Sequence, residues 1–519
     1  MSVTLSQHTQ STSNRSVYQI CYNVPSTDSN KLTLVLALAT LVSAFGSSFQ
    51  YGYNVAVVNS PHMQRFYARV YESRNASLTD SSLTLLWSLT VSMYPLGGFF
   101  GSLMVAPLVN NLGRKGTLLF NNIFSIGPAV MMGVSEMVGS FEIIIVARFI
   151  VGICAGLSSN VVPMYLGELA PKNLRGAIGI VPQLFITVGI LTAQVFGVRS
   201  ILGNAESWPI MLALTGGPAV IELLLLPFFP ESPRYMLIQK GDENNARKGT
   251  ALRRLRGWEE VDEELLEMRL EEQSERAEGQ LSVLRLFTFP SLRWQLLSII
   301  FMNMGQQLSG VNAVRRTDNL PIFGSAGVKE NDVQYVTVGT GSVNVLMTFA
   351  SGRKLLLLIG FGICCAACLL LTAALSLQVH TLPPASQHKR IFNLLPVCAP
   401  TGPIPTVITT EIFRQSSRPA AFLVAGSVHW LCNFTVGLVF PFLEQKGLGA
   451  YSFIIFAFIC LVTLIYIWVV IPETKNTTFL EISKLFAKRN KVEIVLEAED
   501  CELKVRGVRD HGEDLITTF

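Results

Sequence analysis

Amide side chains occur inside several apolar segments of this 519-residue chain. Gln183 lies in one such segment, and Gln306, Gln307 and Asn312 lie within two helical turns of another. An amide both donates and accepts hydrogen bonds, and it is costly inside a membrane helix unless it is paired or functional. These residues therefore predict either a polar ligand site or interhelical hydrogen bonds, which are worth about 0.6 kcal/mol on average. The residue types alone do not favour the ligand site over interhelical hydrogen bonds.

Charged residues form a second candidate set, because similar signatures occur once in each half of the chain. The first half has Gly113-Arg114-Lys115, Glu168, Arg175, Glu231 and Arg234, and the second has Gly352-Arg353-Lys354, Glu411, Arg418 and Glu473. The separations from Arg to Glu are 54 and 58 residues, and the next Glu follows after 63 and 62 residues. Such repetition indicates duplicated blocks of membrane helices, as in alternating-access transporters.

The repeated charges have a physical interpretation. A Gly-Arg-Lys turn at a helix end places cations beside the negative helix C-terminus, where a glutamate from a neighbouring helix can pair with them. We therefore predict that these residues latch the helices together on the cytoplasmic side. The alternative is that unpaired loop cations only follow the positive-inside rule. The nearly equal spacing of the two copies favours the latch.

Composition places the chain in a lipid bilayer. Half of the residues are apolar and 15% are charged, whereas soluble domains have about 25% charged residues. The net charge of +4 gives no indication of a nucleic-acid partner. The nine Cys show neither metal-ligand nor C-x-x-C spacing, and no nucleophile–base set or phosphate loop occurs. We expect neither an enzyme nor a bound metal or cofactor.

Apolar runs of about 20 residues, the length that crosses a bilayer, predict an all-α integral membrane protein with 12 transmembrane helices. In the first half they lie near 34–58, 83–105, 118–138, 143–165, 177–196 and 209–229. The second half is less regular, with runs near 296–314, 333–350, 355–377, a proline-interrupted 391–413, 420–442 and 451–471. The predicted domains are an N-terminal tail, 1–31, a six-helix half, 32–229, a charged linker with short helices, 230–295, a second six-helix half, 296–472, and a C-terminal tail, 473–519.

The loops predict the orientation. Lys and Arg in the short even-numbered loops place these loops, and both termini, in the cytoplasm. The first outer loop contains Asn75-Ala76-Ser77, an acceptor motif for N-glycosylation. The last residues, Thr517-Thr518-Phe519, could fit a PDZ groove by strand addition, although three residues match such a groove easily by chance.

Several motifs resemble those of one known family. They are Gly113-Arg114-Lys115, Arg148-x-x-x-Gly152, Gly167-Glu168-Leu169-Ala170-Pro171-x-x-Leu174-Arg175-Gly176, Pro230-Glu231-Ser232-Pro233-Arg234, Gln306-Gln307-Leu308-Ser309-Gly310-Val311-Asn312-Ala313 and Pro472-Glu473-Thr474. Together they resemble the facilitative sugar transporters of the major facilitator superfamily, over roughly residues 32–489. The chain looks closest to the fructose-carrying branch. Met302-Asn303-Met304-Gly305 replaces the Gln-Leu-Ser of glucose-selective members, and Thr406 stands where glucose carriers have Trp.

The resemblance implies the major facilitator fold, with two six-helix halves, in a plasma-membrane protein that binds a hexose. It implies a set of sugar contacts, namely Tyr51, Gln183, Gln306, Gln307, Asn312, Asn344, His429 and Trp430. A hexose is neutral and dense with hydroxyls, so amides and aromatic rings suit it. The expected substrate is D-fructose, with D-glucose as the alternative.

The first span lacks the acidic residue that would indicate proton-coupled transport. Proton-coupled members of the family carry an acidic residue there, and residues 34–58 contain none. We therefore expect a uniporter. The runner-up is a symporter that uses Glu142 or Glu222, but both lie near predicted span ends and so should make poor buried proton sites.

The second half departs from the family pattern near 315–325, 350–354 and 380–405. Arg315-Arg316-Thr317-Asp318 stand where the family has aromatic residues, the eighth span is short, and the tenth span is interrupted by prolines. These departures give a second hypothesis, a non-transporting relative that acts as a partner or sensor, or an altered transcript product. Transport is favoured, because the other cavity positions are retained.

Overall fold

The structure is a computed structural model. It describes residues 32–58, 61–74, 80–171, 174–239, 251–256, 292–309, 354–378, 404–413, 417–446 and 451–472, together with 269, 286–287, 338–339, 341–342, 345, 485–486 and 489. All regular secondary structure among these residues is helical. Seven helices in this part of the chain are long and apolar enough to cross a membrane, and one of them, 85–138, has 54 residues, enough for two spans. The predicted all-α membrane fold is confirmed.

The first half contains every span that its sequence predicts. Its helices are α1 (Leu34–Ser43), a π-helical segment (Ala44–Phe49), α2 (Gln50–Ala56), α3 (Pro61–Ser73), α4 (Asp80–Asn121), α5 (Ile123–Val138), α6 (Phe141–Leu169), α7 (Arg175–Phe196), α8 (Trp208–Ala213) and α9 (Gly217–Leu225). A 3-10 turn at Leu214–Gly216 joins α8 to α9, and a second one at Leu226–Phe228 ends this sixth span.

The second half is described in part. Its helices, with the short one that precedes them, are α10 (Ala251–Arg256), α11 (Arg293–Gln307), α12 (Lys354–Gln378), α13 (Ile404–Ile412), α14 (Arg418–Lys446) and α15 (Ser452–Val470). Helices α12, α14 and α15 coincide with predicted spans. The irregular segments 315–325 and 380–403, and most of the predicted eighth span, lie outside the described residues.

The first span is continuous but not uniform. Thr33 caps α1, because its hydroxyl accepts a hydrogen bond from the Leu36 N–H at 3.3 Å. The backbone then passes through the π-helical segment into α2 without leaving the helical region. Such π-helical turns within α-helices are frequent at functional sites, and this one leads into α2, whose second residue is Tyr51.

Glycines allow α4 and α6 to pack with their backbones in contact. Gly97 and Gly101 of α4 face the carbonyls of Phe149 and Ile153 on α6, so a Cβ on either glycine would collide with backbone atoms. Gly152 and Gly156 of α6 face the α4 backbone in the same way. Both pairs have the small-xxx-small spacing that lets membrane helices approach closely.

A glycine also makes the turn between the second and third spans. Gly113 has a φ of 81° inside the range Asp80–Asn121, and the helix resumes at the next residue. This left-handed conformation favours glycine, which has no Cβ to clash. The sequence places the boundary correctly between 105 and 118, but the third span begins several residues earlier than predicted.

The two halves meet along α4 and α14. Trp430 of α14 covers Gly98 of α4, where any side chain would collide with the indole ring. Farther along α14, Gly426 lies against the amide of Asn160 on α6. A polar and aromatic surface of the second half therefore lies directly on the first half near the middle of both helices.

Candidate functional site

Ring-bearing side chains from both halves gather around Trp430, and together with Gln307 we call them the aromatic site. Trp430 is fully buried. Its ring centroid lies 5.4 Å from that of Tyr51, 5.6 Å from that of Tyr94 and 5.4 Å from that of His429. The contacts with Tyr51 and Tyr94 are tilted and edge-on, which are favourable aromatic arrangements.

The amide of Gln307 joins this group from α11. Its Nε2 atom lies 3.0 Å from Nδ1 of His429 on α14, so the amide can donate to the imidazole. Gln307 is buried, and Gln306 beside it is partly buried. The hydrogen bond orients the Gln307 side chain, whose amide can both donate and accept hydrogen bonds.

Trp430 also makes a polar contact across the interface. Its indole Nε1–H donates to the hydroxyl of Ser159 on α6 at 3.3 Å. Because Ser159 belongs to the first half and Trp430 to the second, this bond depends on how closely the two halves approach. The sequence did not single out Ser159, since a serine in an apolar helix carries no distinctive pattern.

A buried arginine of the first half packs against the aromatic site. Arg148 lies with its guanidinium carbon 4.4 Å from the centroid of the Tyr94 ring, and its Nη1 donates to the Asn54 carbonyl at 2.9 Å. The Tyr94 hydroxyl in turn donates to the Tyr51 carbonyl at 3.1 Å. A cation over an aromatic face is attractive, the more so away from water. Arg148 thus positions two tyrosines of the site, and sequence reasoning had placed it only in a family motif.

Of the remaining predicted sugar contacts, the structure describes only some. Gln183 lies partly buried on α7, and this helix packs against α2 so closely that Gly52 meets the Ile186 carbonyl. Tyr51 and Gln183 are therefore on adjoining helices. Asn312 and Asn344 lie outside the described residues.

The charged residues of the first half form a compact group, which we call the first charged cluster. Arg114 and Glu168 both have fully buried side chains, and Nε lies 2.9 Å from Oε2. The Ser232 hydroxyl donates to the same carboxylate. The Arg114 guanidinium also stacks on the Tyr235 ring, with its carbon 4.8 Å from the centroid. The glutamate therefore holds the turn after Gly113 and the segment that follows the sixth span.

Glu231 completes this cluster by capping a helix. Its carboxylate accepts hydrogen bonds from the backbone N–H groups of Arg114 and Lys115, at 3.1 and 3.0 Å, where the helix resumes after Gly113. A carboxylate is favourable at a helix N-terminus. Burial raises the pKa of Glu231, although the backbone N–H groups stabilise its ionised form. Arg234 is buried nearby. The side chain of Arg175, which begins α7, lies outside what the structure describes.

The corresponding residues of the second half are described less fully. Glu411, near the end of α13, and Arg418, at the start of α14, are both buried. Arg418 donates from Nη2 to the Phe413 carbonyl at 3.3 Å. Arg353 and Glu473 lie outside the described residues.

Two ion pairs join α3 and the residue that follows it to α5 and α6. Arg74, which follows α3, makes a two-pronged contact with Glu142 at the start of α6, and its Nη2 lies 3.1 Å from Oε2. Arg69 and Glu136 are 3.9 Å apart. Asn75, the predicted glycosylation site, lies outside the described residues.

One sequence expectation is wrong. The sequence places Glu222 near a span end and so predicts a poor buried site, but Glu222 is fully buried and its carboxylate contacts Ser47 of the π-helical segment. The reason is that α9 packs against the π-helical segment of the first span, where Gly46 leaves room for the Glu222 side chain. Glu142, by contrast, is at a helix end and exposed, as expected.

The aromatic site suits a neutral polyhydroxy ligand. Aromatic faces can cover apolar C–H surface, while the amides and the imidazole can exchange hydrogen bonds with hydroxyls. Within the described residues no group of three or more His, Cys, Asp or Glu side chains could hold a metal ion. Binding and movement of a ligand between the halves are what this geometry can provide.

Comparison with known proteins identifies the family. The family model described as sugar (and other) transporter matches residues 39–486. The protein named solute carrier family 2, facilitated glucose transporter member 5, from Homo sapiens is 62% identical over 485 residues, which cover 91% of this chain and 96% of the relative. Member 7 from Homo sapiens is 54% identical over 490 residues, which cover 92% and 94%.

Solved structures agree on the fold. The proton:xylose symporter XylE of the major facilitator superfamily, bound to 6-bromo-6-deoxy-D-glucose, matches with a TM-score of 0.75 and 24% identity. The match covers 88% of this chain and 100% of that one. Taken with the family match and the relatives, it shows that the chain belongs to the sugar transporter family and has the major facilitator fold.

Proposed function

We propose that the chain is a facilitative hexose transporter that moves sugar down its gradient by alternating access between its two halves. The observation that carries the proposal is the aromatic site, in which Trp430 of the second half contacts both Tyr51 of the first half and His429 of its own helix. A ligand bound there touches both halves, so its binding can bias their relative movement. The high identity to named sugar transporters gives the non-transporting alternative no support.

D-fructose is the hexose that we propose as the preferred substrate. The relatives are named as facilitated glucose transporters, so the names alone leave the hexose open. The preference for fructose rests on two sequence differences from glucose-selective members, at residues 302–305 and at Thr406. Both segments are described, on α11 and α13, and neither carries a bulky aromatic side chain.

Sugar binding is proposed for residues of both halves. Gln307 and His429 share a hydrogen bond, and Tyr51 and Trp430 supply rings. We assign the same role to Gln183, Gln306, Asn312 and Asn344. Uniport is supported by the first span, since α1, the π-helical segment and α2 contain neither Asp nor Glu.

The charged clusters are proposed to act as a latch on the cytoplasmic side. The buried contact between Arg114 and Glu168 supports this for the first half. The burial of Glu411 and Arg418 supports it for the second. Release of these contacts would let the inner ends of the helices separate. We further propose a plasma-membrane location with both termini in the cytoplasm, glycosylation at Asn75, and a PDZ partner for residues 517–519.

The proposal predicts saturable fructose uptake that exceeds glucose uptake. Purified protein in liposomes, or protein at the oocyte surface, would be given radiolabelled D-fructose, D-glucose and, as a control, L-glucose. We expect D-fructose to equilibrate and not to accumulate, with no effect of an uncoupler. Absence of saturable uptake from correctly inserted protein would overturn the proposed function, and faster D-glucose uptake would overturn the choice of substrate.

Gln307→Ala is predicted to weaken sugar binding more than folding. The change removes the amide that contacts His429 and leaves a ligand hydroxyl unpaired, so KM should rise about 10-fold, equivalent to about 1.4 kcal/mol. The matched control is Asn122→Ala, because the Asn122 amide donates only to the Leu118 carbonyl of the preceding turn, at 3.2 Å. Equal KM values for the two variants would remove Gln307 from the sugar site.

A further inference from the structure

Glu222 is the one carboxyl group that the structure buries completely within the sixth span. It lies on α9, and its exposed fraction is 0%. The span ends at Phe228, six positions after Glu222. Neither the aromatic site nor the first charged cluster uses this side chain, so its presence needs a separate explanation.

Among the described residues, the hydrogen-bond partner of Glu222 is the Ser47 hydroxyl in the first span. Oγ of Ser47 lies 3.0 Å from Oε1 and 2.8 Å from Oε2 of Glu222. Ser47 is itself buried. Gly46 provides the space, because a Cβ at that position would collide with the Glu222 side chain. The contact thus joins α9 to the π-helical segment at a place where the two backbones approach closely.

No cation is paired with Glu222 among the described residues. The elements packed against α9 include α1 and the π-helical segment, which contain no charged residue. Helix α5 contains only Glu136, which faces Arg69. The titratable groups that interact electrostatically with Glu222 are the Cys154 thiol and the Tyr165 phenol.

The charged residues of the neighbouring helix α6 are engaged elsewhere. They are Glu142 with Arg74, Arg148 with the Asn54 carbonyl, and Glu168 with Arg114. A carboxylate in such surroundings would be a buried charge without a counter-ion, which is very costly. A neutral carboxylic acid, by contrast, can donate its O–H to Ser47 and accept the Ser47 O–H through its other oxygen.

The contact also bears on the aromatic site. The π-helical segment that holds Ser47 continues directly into α2, which carries Tyr51. Gln50, between them, is buried, and its amide contacts the Ser125 hydroxyl of α5 and the Cys154 thiol of α6. A change in how Glu222 holds Ser47 would therefore be transmitted along one helix to Tyr51, within about one turn.

We propose that Glu222 and Ser47 form a proton-binding site in the first half, and that loss of this proton slows sugar transport. The proton binds from water to the carboxylate and returns to water, without stoichiometric coupling to sugar movement. In its bound form the site holds the π-helical segment in the arrangement seen here. This inference rests on the proposed transport function for its effect on rate, but not for the existence of the site.

The transport test compares Glu222→Gln with the unmodified protein. Glutamine is neutral and close in size, and it can donate and accept hydrogen bonds with Ser47 at every pH. With equal pH on both sides of the liposome membrane, we expect fructose uptake by the unmodified protein to fall roughly threefold between about pH 6.5 and about pH 9. Uptake by Glu222→Gln should remain nearly constant over this range.

Two further measurements sharpen the test. Glu206→Gln, which removes an exposed carboxyl in the loop before α8, should keep the pH profile of the unmodified protein. A pH gradient alone should cause no accumulation of sugar above the external concentration. Identical pH profiles for Glu222→Gln and the unmodified protein would overturn the proposal, and so would accumulation driven by the pH gradient that Glu222→Gln abolishes.

Thermal stability in detergent provides a readout that does not depend on transport. At neutral pH the folded protein should hold a proton on Glu222, whereas the unfolded chain has already lost it, because an unperturbed glutamate titrates at about pH 4.3. Stability should therefore fall as the pH rises until the folded protein also loses this proton. Between about pH 6.5 and about pH 9 the Tm of the unmodified protein should fall by about 2 °C more than that of Glu222→Gln. Equal slopes would exclude the proton site. If uptake is absent but the slopes differ, the transport function fails while the site stands.

Discussion

Glu168→Gln is expected to destabilise the protein more than any other single charge change described here. The side chains of Arg114 and Glu168 are both fully buried, with Nε 2.9 Å from Oε2. Removing one partner of a buried pair leaves the other charge uncompensated and typically costs about 3–5 kcal/mol. The amide would also lose one of the acceptor oxygens that serve Arg114 and Ser232. We therefore expect a lower Tm in detergent and less protein at the cell surface.

The matched control is Glu136→Gln. This glutamate also faces an arginine, but its oxygen is 3.9 Å from Arg69, and the two side chains are 31% and 64% exposed. Exposed pairs contribute about 0–1 kcal/mol, so the Tm should hardly change. If both variants shift the Tm equally, the pair formed by Arg114 and Glu168 does not hold the first charged cluster together. Measuring both Tm values in the same detergent makes the comparison direct.

The spans of the first half could be predicted from hydropathy because each must cover the bilayer with apolar residues. The predicted first span, 34–58, compares with helix from Leu34 to Ala56. The prediction was less accurate where a helix continues through charged residues. Helix resumes at Arg114, immediately after the Gly113 turn, whereas the apolar run begins at Leu118. Hydropathy measures the preference of side chains for lipid. Backbone hydrogen bonds do not depend on that preference, so a helix can extend beyond its apolar run.

The family resemblance predicts a set of sugar contacts, but it assigns no role to the side chains that surround Trp430. Arg148 packs on the Tyr94 ring, which contacts Trp430, and Ser159 accepts a hydrogen bond from Trp430. In the sequence, a tyrosine and a serine within apolar runs look like ordinary packing residues. Their roles depend on the close approach of α4 and α6, which the paired glycines allow and which no local pattern of hydrophobicity reveals.

The misplacement of Glu222 has a different cause. Its partner, Ser47, is 175 residues away in the chain, and a contact of that separation has no local sequence signal. Distance to the predicted span end was a poor measure of depth, because packing against the first span also determines burial. Packing against Ser47 and Gly46 thus buries an acid that lies only six positions from the end of its span.

Trp430→Ala is expected to reduce transport strongly while leaving a folded protein. The change removes ring contacts with Tyr51 and Tyr94 and the hydrogen bond to Ser159. Each aromatic contact is worth about 0.5–1.5 kcal/mol and the hydrogen bond about as much. A combined loss of about 2 kcal/mol of transition-state stabilisation, relative to free transporter and free sugar, corresponds to a fall in kcat/KM of roughly 30-fold.

Two companion variants separate the causes of this loss. Trp430→Phe keeps an aromatic ring but lacks the N–H that reaches Ser159, so it should lose only about 5-fold, the share of one hydrogen bond. Trp468→Ala removes a tryptophan of α15 that is 68% exposed, and uptake should stay close to that of the unmodified protein. If Trp430→Phe reduces uptake as much as Trp430→Ala does, the hydrogen bond from Trp430 to Ser159, and not the aromatic ring, governs transport. Normal uptake by Trp430→Ala would contradict the assignment of the aromatic site altogether, since the site would then have lost its central side chain without consequence.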